Sequence, residues 1–187
     1  MNRSLVFAFG LMFVLATLYR IIPYEMRPEG LGAPQLAMAL FAGAVVKTRR
    51  WAFALPLASM LASDVVMQLL HLQYPTLAPG FYKGQLLNYA LILSTTVIGF
   101  FVNPRRISQI LGGALASPVV YYLLSNFAVW AGGGGLHRPK TLAGLMMTYT
   151  DGLPFLRTSL IGTLLFSAVL FGVYQLYTAK SKQVARY

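Results

Sequence analysis

Six apolar runs, set apart by short stretches of Gly, Pro, Tyr and basic residues, constrain this chain more than any single motif does. A helix needs about 20 mainly apolar residues to cross the roughly 30 Å hydrocarbon layer of a bilayer. Runs over residues 5–22, 51–70, 86–102, 107–130 and 153–177 come close to or exceed that length, and a shorter one covers 34–46. Together they predict an all-α, polytopic membrane bundle of about six spans in a single domain over 1–187. A short helix is expected at 142–149, ahead of the last span. The 34–46 run (QLAMALFAGAVV after Pro34) is short for a full crossing and reads as a tilted or interface-entering helix, so five spans remain an alternative. The first run follows Arg3 and carries no small-x-small cleavage site after Thr17, so it reads as a retained span.

Composition agrees with this reading. Only 10% of the residues are charged and 57% are hydrophobic, against about 25% charged in an average soluble domain. Too few polar side chains exist to cover a water-soluble surface. The absence of cysteine excludes a disulfide-stapled module and a zinc–thiolate site. Net charge +11 would point to nucleic acid in a soluble protein; in a chain this apolar it reads as membrane topology. With the N-terminus cytoplasmic, Arg3, Lys47, Arg49, Arg50, Arg105, Arg106, Lys180, Lys182 and Arg186 fall inside with no acid among them. Arg20, Arg27, Lys83, Arg138, Lys140 and Arg157 fall outside, beside Glu25, Glu29 and Asp151. The positive-inside rule then favours an N-in, C-in arrangement, with the long Gly-, Pro- and Tyr-rich loops outside.

That topology assigns depths to the polar residues. Asp64, Gln68, Asn88, Asn126, Trp130, Tyr149 and Arg157 all fall towards the exterior side, and together they form the candidate substrate-binding set. A carboxylate inside a span costs about 2.5–3.5 kcal/mol on insertion scales and calls for a partner. The expected partner of Asp64 is Arg157, as an ion pair that either ties helices together or belongs to a ligand site. Asn126 and Trp130 lie four residues apart, on one helical face. They suit either a ligand contact or an interhelical hydrogen bond with an interface-belt tryptophan.

The run Gly132–Gly135 lacks nucleotide-binding spacing and reads as a flexible loop or lid ending in His137, Arg138 and Lys140. His71 and His137 lack paired-ligand spacing, and there is no GxSxG elbow. The sequence therefore predicts no metal, no cofactor and no enzymatic activity. Small residues at four-residue spacing, Ala39 and Gly43 on the second run and Ala54, Ala58 and Ala62 on the third, predict close helix packing, either within the bundle or against a partner helix. Pro56 and Pro118 are expected to kink their spans.

The stretches RPEGLGAPQLAMALFAGAVV, LPLASMLASDVVM, SNFAVW and GLMMTYTDGLPFLRTSLIGTLLFSAVLFG resemble bacterial membrane proteins related to the substrate-binding S components of energy-coupling factor (ECF) transporters. The resemblance covers nearly the whole chain. It implies a multi-pass protein of the bacterial inner membrane that binds a vitamin or related micronutrient outside. It would take the solute up with a transmembrane coupling subunit and ATPase subunits. In S components an Ala-xxx-Ala pattern on the first span meets the coupling subunit; here the first span offers Ala8 and Ala16, which are not four apart. The alternative is a non-catalytic accessory subunit of a larger membrane complex, its basic ends resting on anionic headgroups.

Overall fold

The computed structural model describes residues 3–22 and 31–184, with side chains over 6–22 and 31–179. Glu25, Arg27 and Glu29, and the side chains of Arg3, Lys180, Lys182 and Arg186, lie outside the described residues. Among the described residues all the regular structure is helical: α1 (Arg3–Ile21), α2 (Gln35–Val45), α3 (Arg49–Gln73), α4 (Gln85–Ser94), α5 (Thr96–Gly99), α6 (Ile107–Gly132) and α7 (Leu142–Val184). Three of these, α3, α6 and the stretch Leu142–Ala179 of α7, are long and apolar enough to cross a membrane.

The core is built around α2. Leu36 through Gly43 are all buried, and α2 packs against all six other helices. A helix apolar on every side is stable only when encased, and this one is encased by protein. Its 11 residues extend about 16 Å, roughly half a hydrocarbon layer. The 34–46 run therefore makes a short central helix. Phe41 at its middle meets the edges of Phe171 and Tyr174 on α7, with ring centroids 5.3 and 5.6 Å apart.

Two glycines let α2 and α5 touch. A Cβ on Gly43 would collide with the Thr96 carbonyl oxygen, and one on Gly99 with that of Leu40. On α1, Ala8, Met12, Ala16 and Tyr19 form one buried stripe, and the helix packs mainly on α3. Helices α6 and α7 form the most extensive pair.

The 86–102 run is not one helix. It turns at Thr95, whose Oγ1 donates to the Ile92 carbonyl at 2.6 Å. From there the backbone bonds shorten to i→i−3, through Thr95 N to Ile92 O, Ile98 N to Thr95 O and Val102 N to Gly99 O. Hydroxyl side chains that bond to local backbone weaken a regular helix, and tight 3₁₀-type turns follow. The opposite difference occurs at the C-terminal end. The expected short helix and final span fuse into the 43-residue α7, which runs through Pro154 without a break. An internal proline costs about 3 kcal/mol, and the long packed face against α6 offsets it. Pro56 and Pro118 likewise remain inside α3 and α6.

Candidate functional site

Asp64 sits on the inward face of α3 and is 3% exposed. Its partner is Arg20, from the last turn of α1, which forms an ion pair with Oδ1. This corrects the expected pairing with Arg157, which lies exposed on α7. The reason lies in the helix packing: α1 rests directly on α3, which brings its C-terminal arginine to the depth of the acid. Arg20 also donates to Ser63 Oγ at 3.3 Å, and Ser63 donates to the Met60 carbonyl at 2.9 Å.

The other side of Asp64 is met by Gln85, the first residue of α4. Its Nε2 lies 2.5 Å from Asp64 Oδ2, 2.6 Å from Tyr89 Oη and 3.3 Å from the Gly80 carbonyl. The loop between α3 and α4 is folded back on α3 by the same group of residues. Gln68 Oε1 accepts from the backbone N–H of Gly80 at 3.1 Å and of Phe81 at 3.4 Å, and His71 Nδ1 lies 2.6 Å from the Leu77 carbonyl. Gly80 is required there, because a Cβ would strike the Asp64 carbonyl. Between these residues lies a cavity of about 180 Å³, lined by Arg20, Gln35, Asp64, Tyr82, Asn88 and Tyr89 among others.

A larger cavity of about 630 Å³ opens beside it between α6 and α7. Tyr121, Ser125, Asn126 and Val129 supply one wall; Thr148, Asp151, Phe155 and Thr158 supply the other, and Gly32 and Ala33 close one side. The two cavities share a partition: Tyr121 Oη donates to Asn88 Oδ1 at 2.7 Å, and Asn88 Nδ2 donates to Tyr82 Oη at 2.7 Å. Asn126 donates to the Tyr122 carbonyl of its own helix at 2.9 Å, and its Oδ1 lies against Gly152, where any Cβ would crowd it. Gly32 N donates to the Thr158 carbonyl at 3.0 Å, which ties the segment before α2 to α7.

The loop over 133–141 roofs the larger cavity. Gly133 and Gly135 have φ of +71° and +64°, and His137 takes φ +52°, so the chain reverses sharply after α6. Trp130 Nε1 donates to the Pro139 carbonyl at 2.9 Å, and Lys140 Nζ stands 5.3 Å above the Trp130 ring. Arg138 grips Asp151 with two hydrogen bonds, of 2.9 and 3.1 Å. That carboxylate, by hydrogen bond first and charge second, holds the Arg138 guanidinium above its ordinary pKa. The pair leaves the cavity mouth with no net charge of its own.

The predicted set thus divides. Asp64 and Asn88 line the smaller cavity and Asn126 the larger. Gln68 and Trp130 pin loops. Tyr149 donates to the Leu123 carbonyl at 3.2 Å and packs on Tyr122, and Arg157 stays outside both cavities. Sequence reasoning missed Arg20, Gln85, Tyr89 and Tyr121. Arg20 and Gln85 stood at predicted span ends, where polar residues are ordinary. Tyr121 and Tyr89 stood within spans, where tyrosine raises no alarm. Among the small residues, Ala39 is fully buried and Gly43 packs within this bundle, whereas Ala58 is exposed, with Ala54 and Ala62 half-buried beside it.

Among the described residues no group of three or more His, Asp or Glu side chains is placed to hold a metal ion. What the arrangement offers is a neutral, mixed-polarity chamber next to a small polar compartment holding a buried ion pair. Neither a curated protein nor a solved structure matches the sequence. A protein-family profile does match, over residues 1–185, and the chain belongs to that family, DUF6580, a family of unknown function.

Proposed function

We propose that this is a non-catalytic, six-segment protein of the bacterial inner membrane, N-in and C-in, that binds a small solute from the exterior side. The observation that carries the reading is the 630 Å³ cavity at the long-loop end, roofed by residues 133–141. Small-molecule sites typically measure about 300–1,000 Å³ and mix apolar walls with a few fixed polar groups. Here Tyr121, Ser125, Asn126 and Thr158 are the polar groups, and Val129, Leu136 and Phe155 are apolar. Because Arg138 and Asp151 neutralise each other, the chamber suits an uncharged or zwitterionic molecule.

The likeness to ECF S components supports uptake of a vitamin or related micronutrient with a coupling subunit and ATPases. The first span enters such a contact differently, since Ala8 and Ala16 are buried in this protein's own core. The exposed Ala58 face of α3 is the better surface for a partner helix. An accessory-subunit role is the second reading; it is favoured by the Arg20–Asp64–Gln85 cluster, which uses its charges internally to join α1, α3 and α4. Co-purification separates the two, with ATPase subunits expected in the first case and a larger complex without them in the second.

The site is tested by thermal-shift and calorimetric titration of purified protein with a panel of water-soluble vitamins. Tyr121→Phe removes one hydroxyl and should weaken binding about five- to tenfold. Ser125→Leu projects into the chamber and should abolish binding. Wild-type affinity in both variants would place the solute elsewhere.

A further inference from the structure

An apolar recess lies at the opposite, short-loop end of the molecule. There α5 and the start of α6 enclose an apolar groove of about 350 Å³. Its α6 wall is Gln109, Gly112, Gly113 and Ala116, spaced i, i+3, i+4 and i+7, so they share one helical face. The two glycines do different things. A Cβ on Gly113 would press on the Leu40 and Val102 side chains, both 2.9 Å away, so this glycine sets the groove floor. A Cβ on Gly112 would meet nothing within 4 Å, so this one keeps the groove open. Across from them Val97 is 45% exposed and Phe101 81% exposed, an aromatic edge suited to hydrocarbon and not to water.

Two arginines stand in the chain about one turn before Gln109, the first α6 residue of the groove. Arg105 and Arg106 immediately precede α6, both exposed, and Gln109 one turn further on is held by accepting from Asn103 N at 2.8 Å. The described carboxylates are far from them in the fold: Asp64 is engaged by Arg20 and Asp151 by Arg138, at the long-loop end. Exposed Lys47, Arg49 and Arg50 lie at the same end as Arg105 and Arg106, where the Arg49 guanidinium stands 5.5 Å above the Phe100 ring after α5. An apolar slot along a membrane-length helix that is preceded by two exposed cations has the two-part chemistry of a phospholipid. The slot complements an acyl chain, and the cations complement a phosphate that carries net negative charge.

We propose that the α5–α6 groove is a specific site for an anionic phospholipid, its acyl chain along Gly112 and Ala116 and its phosphate on Arg105 and Arg106. The proposal rests on the membrane-embedded part of the reading above and is independent of the solute chamber. Each basic residue near an anionic surface contributes about 1 kcal/mol, so the two together give a preference of tenfold or more over a zwitterionic lipid.

The test uses the full-length protein in nanodiscs of equimolar phosphatidylglycerol and phosphatidylcholine, followed by mild detergent release and native mass spectrometry of retained lipid. Wild-type protein should retain phosphatidylglycerol preferentially. Arg105→Gln with Arg106→Gln should remove the preference, and Gly112→Leu should displace lipid of both kinds. Ala116→Leu fills the same slot and serves if Gly112→Leu fails to fold. Lys47→Gln with Arg50→Gln should leave retention unchanged; an equal loss there would reduce the site to diffuse surface charge and overturn the proposal. Competition by soluble glycerol phosphate would do the same, by showing a phosphate site without a chain. So would a groove-filling variant that loses a bound protein and keeps its lipid, which would make the groove a helix-docking site. A protein that stays soluble without detergent would instead overturn the membrane reading itself.

Discussion

At the scale of single residues, Arg20 and Asp64 carry the sharpest consequence. A buried ion pair adds modest net stability, because desolvation offsets most of the attraction, yet removing one member leaves an uncompensated buried charge. Asp64 is 3% exposed and also takes Gln85, so Arg20→Gln should destabilise the protein by about 3 kcal/mol, read as a fall in unfolding midpoint in detergent. The double change Arg20→Leu with Asp64→Leu should recover most of that loss. Recovery separates a charge effect from a general intolerance of the position. The Arg138–Asp151 pair provides the contrast. About a third of each side chain is exposed, so Arg138→Gln should leave the midpoint essentially where it was.

Among the elements, the crossing of α2 and α5 depends on backbone approaching backbone. Gly43→Ala introduces a methyl that would collide with the Thr96 carbonyl, which has no rotamer with which to yield. Overpacking of this kind costs about 1–3 kcal/mol. Gly10 on α1 is the matched control, because its Cβ would meet nothing within 4 Å. Alanine is the better helix former there by about 1 kcal/mol, so Gly10→Ala should raise the unfolding midpoint while Gly43→Ala lowers it. If both changes moved the midpoint the same way, the close α2–α5 packing would be wrong. The interruption at Thr95 belongs to the same arrangement, since the tightened turns after it present Gly99 to α2.

For the molecule as a whole, the two ends differ in character. One end bears the long loops, the two polar cavities and the buried ion pair; the other bears short basic turns and the apolar groove. The proposed N-in arrangement puts the first end outside. A chain without cysteine is suited to testing this, since every introduced thiol is unique. A membrane-impermeant maleimide should label Leu136→Cys in intact cells, and Thr48→Cys only after the membrane is opened. The reverse pattern would invert the topology and face the solute chamber to the cytoplasm.

By itself the sequence determined the helical class, the positions of the loops and the end of the molecule where polar groups gather. Each follows from local composition: long apolar runs, clustered Gly and Pro, and the sign of nearby charge act over a few residues. Asp64 was legible as a residue in need of a partner for the same reason, being an acid in an apolar run. Its partner was not, because Arg20 is 44 positions away and only the packing of α1 on α3 brings the two together. The fate of the 34–46 run was also a tertiary matter. An 11-residue apolar helix has the same pattern whether it tilts into lipid or is encased by neighbours, and only its packing against the six other helices shows that protein surrounds it. The candidate site split for a related reason. Depth along a span can be counted from the sequence, but the direction a side chain faces depends on how each helix is rotated in the bundle. That rotation placed Asp64, Asn88 and Asn126 on cavities, left Arg157 outside them, and set Tyr121 as the partition between two chambers.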